Sequence, residues 1–179
     1  MARRFDPGRR DRIIDAAIDC IAEEGVAGTS HRKVAARADV PLGSMTYHFD
    51  NMDELLVEAF TRFTAMIAET FEQRMQDVPD ADAALDAVVD LIHVDLQRSN
   101  REHVVTYELY TLAARQNRFR SITNQWMRAS RSALSRHFPP DTVRILDNYI
   151  EGAALHIALD TEPQARAETR AALELLAAR

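Results

Sequence analysis

The sequence predicts an all-α fold of nine helices, with a length that allows one domain or two small ones. Breakers are scarce: 5 Gly and 6 Pro stand against 28 Ala in 179 residues, and Ala is the strongest helix former while Gly and Pro are the weakest. Apolar residues recur at intervals of three and four along nearly the whole chain. No segment of useful length alternates with period two, so no strand is expected. The remaining breakers are unevenly spread. Four of the five glycines fall at or before position 43, and the later prolines stand only at 79, 139, 140 and 163. The N-terminal third is therefore cut into short helices and the remainder into long ones.

Residues 9–24 form the first expected helix. Ile14, Ala17, Ile18 and Ile21 repeat at helical spacing, and Gly25 follows as a helix-stopping glycine. Ser30 is a good N-cap for a two-turn helix over 31–38, with Val34, Ala35 and Ala38 as its narrow apolar stripe. Asp39-Val40-Pro41 breaks it, and a very short helix follows over 42–48. Asn51 with Glu54 three residues on has the pattern of a capping box. It opens a fourth helix carrying Leu55, Leu56, Ala59, Phe60, Phe63, Met66, Ile67 and Phe71 that fades before Pro79. Four more periodic stretches cover 82–98, 102–115, 118–137 and 141–160. A last helix is expected over 163–178, with Pro163 in its first turn, where a missing N–H costs nothing.

Composition and charge narrow the function. Hydrophobic residues make up 46% and charged residues 28%, which suits a globular protein and not a disordered one. One cysteine, Cys20, excludes an internal disulfide and a Cys-based zinc cage and reads as a small core residue. Apolar runs are too short for a membrane helix. Met1-Ala2-Arg3-Arg4 leads into no apolar stretch, so no signal peptide is expected and the expected location is cytoplasmic. The net charge is −6, but it is divided: residues 1–49 carry 8 basic and 7 acidic groups, and residues 50–179 carry 14 basic and 21 acidic. A phosphate backbone responds to a local patch and not to the whole-chain balance, so the N-terminal arginines keep nucleic-acid binding open.

Three short helices joined by tight turns suggest helix-turn-helix packing. The run Thr29-Ser-His-Arg-Lys-Val-Ala-Ala-Arg-Ala-Asp-Val-Pro-Leu-Gly-Ser-Met-Thr-Tyr-His-Phe49 then becomes specific. It resembles the DNA-binding motif of the TetR family of bacterial transcriptional repressors at Thr29, Val34-Ala35, Ala38, Val40, Gly43-Ser44, Tyr47-His48 and Phe49. Glu24-Gly25 before it and Asp53-Glu54-Leu55-Leu56 after it also match, so the close resemblance covers residues 10–60. Four positions depart from the family pattern. Asp39 replaces the usual turn glycine, and Asp tolerates a left-handed backbone better than most residues. Pro41 replaces a Ser/Thr cap, Thr46 a common Tyr, and Met52 a phosphate-contacting Lys, a contact that Met52 cannot make.

The resemblance implies a DNA-binding domain over residues 1–53, with the helix-turn-helix at about 30–49. A ligand-binding and dimerisation domain would take residues 54–179. The expected DNA contacts are Arg9, Arg10, Thr29, Ser30, Arg32, Lys33, Leu42, Gly43, Ser44, Thr46, Tyr47 and His48. Arg3 and Arg4 would add charge, and Lys33 and Arg37, four apart, would share one face. Gly43 and Ser44 would leave the start of the third helix bare for phosphate or a base edge. Expected liners of the effector site are Phe63, Met66, Ile67, Leu85, Val89, His93, Tyr107, Tyr110, Trp126, Met127 and Tyr149, which suit a mainly apolar or aromatic ligand of unknown identity. Helices at about 141–160 and 163–178 would pair with a second copy in a four-helix bundle, with Gly152 and the alanines beside it allowing close approach. The resemblance thus implies a homodimer on a palindromic double-stranded operator, released by a small molecule, with no cofactor, no metal and no membrane partner. No catalytic motif supports an enzyme. Asp90-Leu-Ile-His93 lacks the paired Glu-x-x-His of a di-iron bundle. The alternative is an all-α small-molecule-binding module without a DNA function, which the arginines and Tyr47/His48 disfavour.

Overall fold

A computed structural model describes residues 6–97 and 100–178. Among these residues it contains nine α-helices, one π-helical segment and no strand. The helices are α1 (Arg9–Gly28), α2 (His31–Arg37), α3 (Gly43–His48), α4 (Met52–Gln76), α5 (Ala81–Asp90), α6 (Asn100–Arg115), α7 (Asn117–Leu134), α8 (Pro140–Leu159) and α9 (Arg166–Ala177). Leu91–Asp95 is the π-helical segment. The chain divides into two compact units. One comprises Met1–Thr64 with Val104–Ile122, and the other Ala65–His103 with Thr123–Arg179. Contacts therefore divide the chain partway along α4, whereas the resemblance implies a domain boundary at residue 53.

In unit 1, α1 buries Ile13, Ile14, Ala17, Ile18 and Ile21, the face that its spacing predicts. Val34, Ala35, Met45 and Phe49 close the small core of α2 and α3, and Phe60 and Phe119 meet edge to face with centroids 5.9 Å apart. Gly25 has φ of 69°, and helical residues resume after this kink instead of ending there. That backbone angle is what demands glycine; the nearest group to a Cβ there, the Glu108 carboxylate at 2.6 Å, ends a flexible side chain that can move aside. Asp39 has φ of 51° and supplies the left-handed turn expected of it. Ser30 caps α2 by accepting from the Lys33 N–H at 3.4 Å. Asn51 Oδ1 accepts from the Glu54 N–H at 3.0 Å, while the Glu54 carboxylate reaches back one residue further than in a standard box, to the Asp50 N–H at 2.6 Å.

Unit 2 has its own core, built on Phe71, Met75, Leu85, Val88, Ile92, Leu134, Leu146 and Leu173. Two expectations are corrected here. The helix expected over 82–98 changes register after Asp90: the Leu96 N–H bonds the Leu91 carbonyl at 2.9 Å, an i→i+5 bond that accommodates one extra residue. This segment buries Asp95, which receives the Arg74 guanidinium at 2.9 Å. The last helix starts at Arg166, with Pro163 outside it. Its start is set by Glu168, whose carboxylate accepts from the Ala165 N–H at 2.8 Å.

Candidate nucleic-acid interface and ligand cavity

The outer surface of the helix-turn-helix is made by residues that the inner core pushes outward. Met45 and Phe49 are buried, so the intervening Thr46 and Tyr47 are exposed, Tyr47 by 76%. The Tyr47 ring stands edge-on to His48 at 4.9 Å between centroids. Leu42 is 54% exposed at the start of α3, and nothing lies within 4 Å of a Cβ built on Gly43, so the backbone there is open to close approach. Burial first, then the charges of Arg9 and Arg10, hold the His48 imidazole below its usual pKa. The neutral ring offers one donor and one acceptor.

The cations are not equally available. Arg32 is exposed and has no ion pair among the described residues. Lys33 is bonded to the Glu24 carboxylate and to the Gly28 carbonyl at 2.9 Å. Arg37 is held by Glu23 at 2.8 Å and faces Asp19 at 3.8 Å. Lys33, an expected DNA contact, and Arg37, expected on the same face, both fasten α2 to the acidic side of α1. Arg10 pairs with Glu58 at 2.9 Å and covers the Phe49 ring at 5.1 Å, and Arg9 faces Asp6 at 3.7 Å. Two expected contacts turn inward. The Thr29 hydroxyl donates to the Gly25 carbonyl at 2.8 Å, tying down the kink, and Ser44 is buried beside Met45 on the inner side of α3. Arg3 and Arg4 lie outside the described residues. Of the expected DNA contacts, Arg32, Leu42, Gly43, Thr46 and Tyr47 are exposed, and His48 and Ser30 are half-buried.

Unit 2 holds a cavity of about 30 Å³ between α4, the π-helical segment, α7 and α8. Ile67, Trp126 and Met127, three of the expected liners, do line it. Ala68, Phe71, Leu91, Leu96, Ser130, Ile150 and Glu151 complete its wall and were not anticipated. Ala68 and Phe71 lie one and four residues after Ile67, so helical spacing could have found them. Leu91 and Leu96 bracket the π-helical register, which no 3.6-residue periodicity foretells. The other expected liners lie elsewhere. Leu85 and Val89 are core residues. His93 bonds Thr169 Oγ1 at 2.8 Å, with its pKa lowered by burial and then by Arg166. The Tyr149 hydroxyl donates to Gln164 at 3.3 Å. Met66 is 59% exposed, and Phe63, Tyr107 and Tyr110 belong to unit 1. Among the described residues no group of three His, Cys, Asp or Glu side chains could hold a metal, and no helix is long and apolar enough to cross a membrane.

A two-helix motif with an exposed, aromatic second helix on an all-helical chain defines a helix-turn-helix transcriptional regulator. The comparisons with known proteins identify which kind. The profile of bacterial regulatory proteins of the tetR family matches residues 13–59, and that of the tetracyclin repressor-like C-terminal domain matches residues 79–179. The chain belongs to the TetR family. It is 51% identical to the candidate transcriptional regulator SCO7518 of Streptomyces coelicolor A3(2), whose crystal structure superposes with a TM-score of 0.91 over 97% of this chain and 100% of that one. The multidrug binding protein EbrR in complex with ethidium is 34% identical, with a TM-score of 0.79 over 94% of this chain and 98% of its own. EbrR has also been crystallised with proflavin and with malachite green. The nicotine-responsive transcriptional repressor HdnoR of Paenarthrobacter nicotinovorans is 27% identical over 60% of this chain and 55% of its own.

Proposed function

We propose that this regulator is a cytoplasmic homodimeric repressor that binds a palindromic operator and is released by an aromatic cation. The observation that carries the DNA part is the presentation of Tyr47, 76% exposed on a six-residue helix whose inner residues are buried. An aromatic ring standing clear of its own fold gains its partner from outside, and beside Gly43 it is suited to a base edge or thymine methyl. Arg32, His48 and the Ser30–His31 end of α2 are suited to phosphate.

Dimerisation is supported by Leu155 and Leu159 on α8 and Leu175 on α9, which are 41%, 65% and 74% exposed. Gly152 and Leu155 and Leu159 recur at helical spacing on one face, and a Cβ at Gly152 would meet nothing. Two copies paired there would present two recognition helices about 34 Å apart, one helical turn of DNA.

The effector class follows from the cavity wall. Glu151 is the one carboxylate in a lining otherwise made of Ser130 and apolar groups, and Trp126 supplies the aromatic face that attracts cations most. Ethidium, proflavin and malachite green, each crystallised in complex with EbrR, are aromatic cations. A cavity of 30 Å³ holds little more than one water, whereas ligand sites of this class span roughly 300–1,000 Å³. The effector therefore has to enlarge it, and Ile67, Ala68 and Phe71 on α4 form one of the walls that must move. Helix α4 starts at Met52, three residues after the motif's Phe49. An effector that binds the enlarged form better thus favours a state with α4 displaced.

The test is selection of genomic and random DNA by the full-length protein, with the assembly weighed by sedimentation. Enrichment of one palindrome bound by two copies is expected, and Leu159→Arg should yield a monomer with little operator affinity. Enrichment of no palindromic site by a folded dimer would sink the proposal.

A further inference from the structure

Helices α7 and α8 frame a second, open groove in unit 2, with a volume of about 710 Å³. Arg128, Arg131, Ser132, Ser135, Asp141 and Arg144 are among its lining residues. The arginines here differ from those in the rest of the unit. Arg74 is held by Asp95 and faces Asp90, Arg136 is held by Glu72, Arg166 by Asp90, and Arg170 by Asp82, Asp86 and Glu174. Arg128 and Arg144 make no ion pair or hydrogen bond among the described residues. Arg131 has only Asp147, at 3.7 Å. Asp147 is buried beneath the groove, and burial raises its pKa against the opposing effects of Ser130, Arg131 and Arg144. Residues 50–179 carry 21 acidic groups against 14 basic ones, so Arg128 beside Arg131 and Arg144, which share the one buried carboxylate of Asp147, reverses the local field.

The backbone adds to that reversal. Helix α8 begins at Pro140 with no side-chain cap from Pro139, and the Val143 N–H bonds the Pro139 carbonyl at 2.9 Å, so the positive end of this 20-residue helix lies at the groove with the Asp141 and Thr142 amides ahead of that first bond. Two hydroxyls stand nearby: Ser135 donates to the Ser132 carbonyl at 2.8 Å, and Ser132 is exposed. Asp141 opposes an anion at the rim. The groove lies well within the size range of small-molecule sites and is far larger than one inorganic phosphate needs.

We infer that the groove between α7 and α8 binds a phosphorylated small molecule, with Arg128, Arg144 and Arg131 on its phosphate oxygens and the start of α8 behind them. Planar guanidinium groups engage phosphate through paired N–H donors, which favours a ligand with several oxyanion oxygens over a monovalent ion. This site is separate from the effector cavity and does not depend on the DNA-binding reading.

The probe is inorganic pyrophosphate, titrated calorimetrically into the full-length protein at constant ionic strength. Saturable one-to-one binding is expected, weakened on the order of tenfold by Arg128→Gln and again by Arg144→Gln. Arg136→Gln, which removes an arginine already paired with Glu72, should leave it unchanged. Both groove arginines are exposed, so thermal melting should verify that the variants remain folded. Equal pyrophosphate affinity in the Arg128→Gln/Arg144→Gln double variant would overturn the proposal, as would heats reproduced by sodium chloride of the same ionic strength. So would a double variant that loses duplex-DNA affinity while pyrophosphate binding persists, since the groove would then be a nucleic-acid surface.

Discussion

Tyr47 on α3 and Trp126 on α7 are both aromatic side chains in the proposed working surfaces, but their settings are opposite. Tyr47 keeps 76% of its surface in water above a buried base of Met45 and Phe49. Trp126 closes on a cavity of about 30 Å³. The recognition surface is prepared for its partner, and the cavity is not. Around the first, ion pairs from α1 to Lys33 and Arg37 fix the angle of α2, and Asp39 sets the turn. Around the second, a register change in the π-helical segment and small Ala68 leave packing that a ligand can rearrange. The proposed DNA surface is thus already exposed, whereas the proposed effector site has room for little more than one water.

Substitutions can break that comparison from either side. The largest effect is expected on the cavity. Ala68→Phe fills it, and since overpacking costs roughly 1–3 kcal/mol even without a ligand to exclude, effector affinity should fall by about a hundredfold. Operator affinity of the variant should itself fall, because the added ring displaces the α4 wall as a ligand would. The chain has a single tryptophan, Trp126, so quenching of its fluorescence by tetraphenylphosphonium reads occupancy directly. Persisting quenching in this variant would place the effector elsewhere.

On the other side, Tyr47→Ala should cost ~1–3 kcal/mol of operator binding and leave non-specific DNA affinity in place. Because the ring is so exposed, melting should not change. A variant that binds operator as well as the parent would show that the ring is ornament to the motif.

The cations sharpen the comparison further. Arg32→Gln should weaken all duplexes alike and reduce the salt slope by about 1. Arg37→Gln should leave the slope alone, because Glu23 and Asp19 already neutralise Arg37. Equal slopes for the two variants would mean that the α1 ion pairs exchange for phosphate on binding.

The smallest effect concerns pH. Burial, then Arg9 and Arg10, lower the pKa of His48 in the free protein. A phosphate beside the ring would raise it again, so the complex would hold more protons than the free protein. Operator affinity should then rise as pH falls through the ordinary imidazole range near ~6.5, by at most about tenfold per pH unit for each His48 bound, and His48→Gln should flatten the profile.

Much of this was legible in the sequence, for identifiable reasons. Long apolar stripes placed every helix, because a helix must bury one face and its spacing records which. Local chemistry worked where it is local: Ser30 caps α2, Asn51 caps α4, and Asp39 takes the left-handed turn. What failed depends on residues far apart in sequence. Nothing near Lys33 or Arg37 reveals that α1 carboxylates 9 to 18 positions earlier will claim them. The inward turn of Ser44 depends on how α3 rolls against its neighbours. The start of α9 was misplaced because Pro163 fits a first turn as well as it fits the extended segment before one. The cavity wall was legible on α4, but at Leu91 and Leu96 the helical period itself changes.

The central claim is that filling the cavity of unit 2 weakens the hold of unit 1 on DNA. Its most direct test is operator affinity, by fluorescence anisotropy of a labelled duplex, across a titration of tetraphenylphosphonium, an aromatic cation too bulky to intercalate. Operator affinity should be 5- to 150-fold weaker at saturation, a coupling of about 1–3 kcal/mol, with the ligand-dependent shift abolished by Ala68→Phe. Saturated quenching of Trp126 with unchanged operator affinity would contradict it.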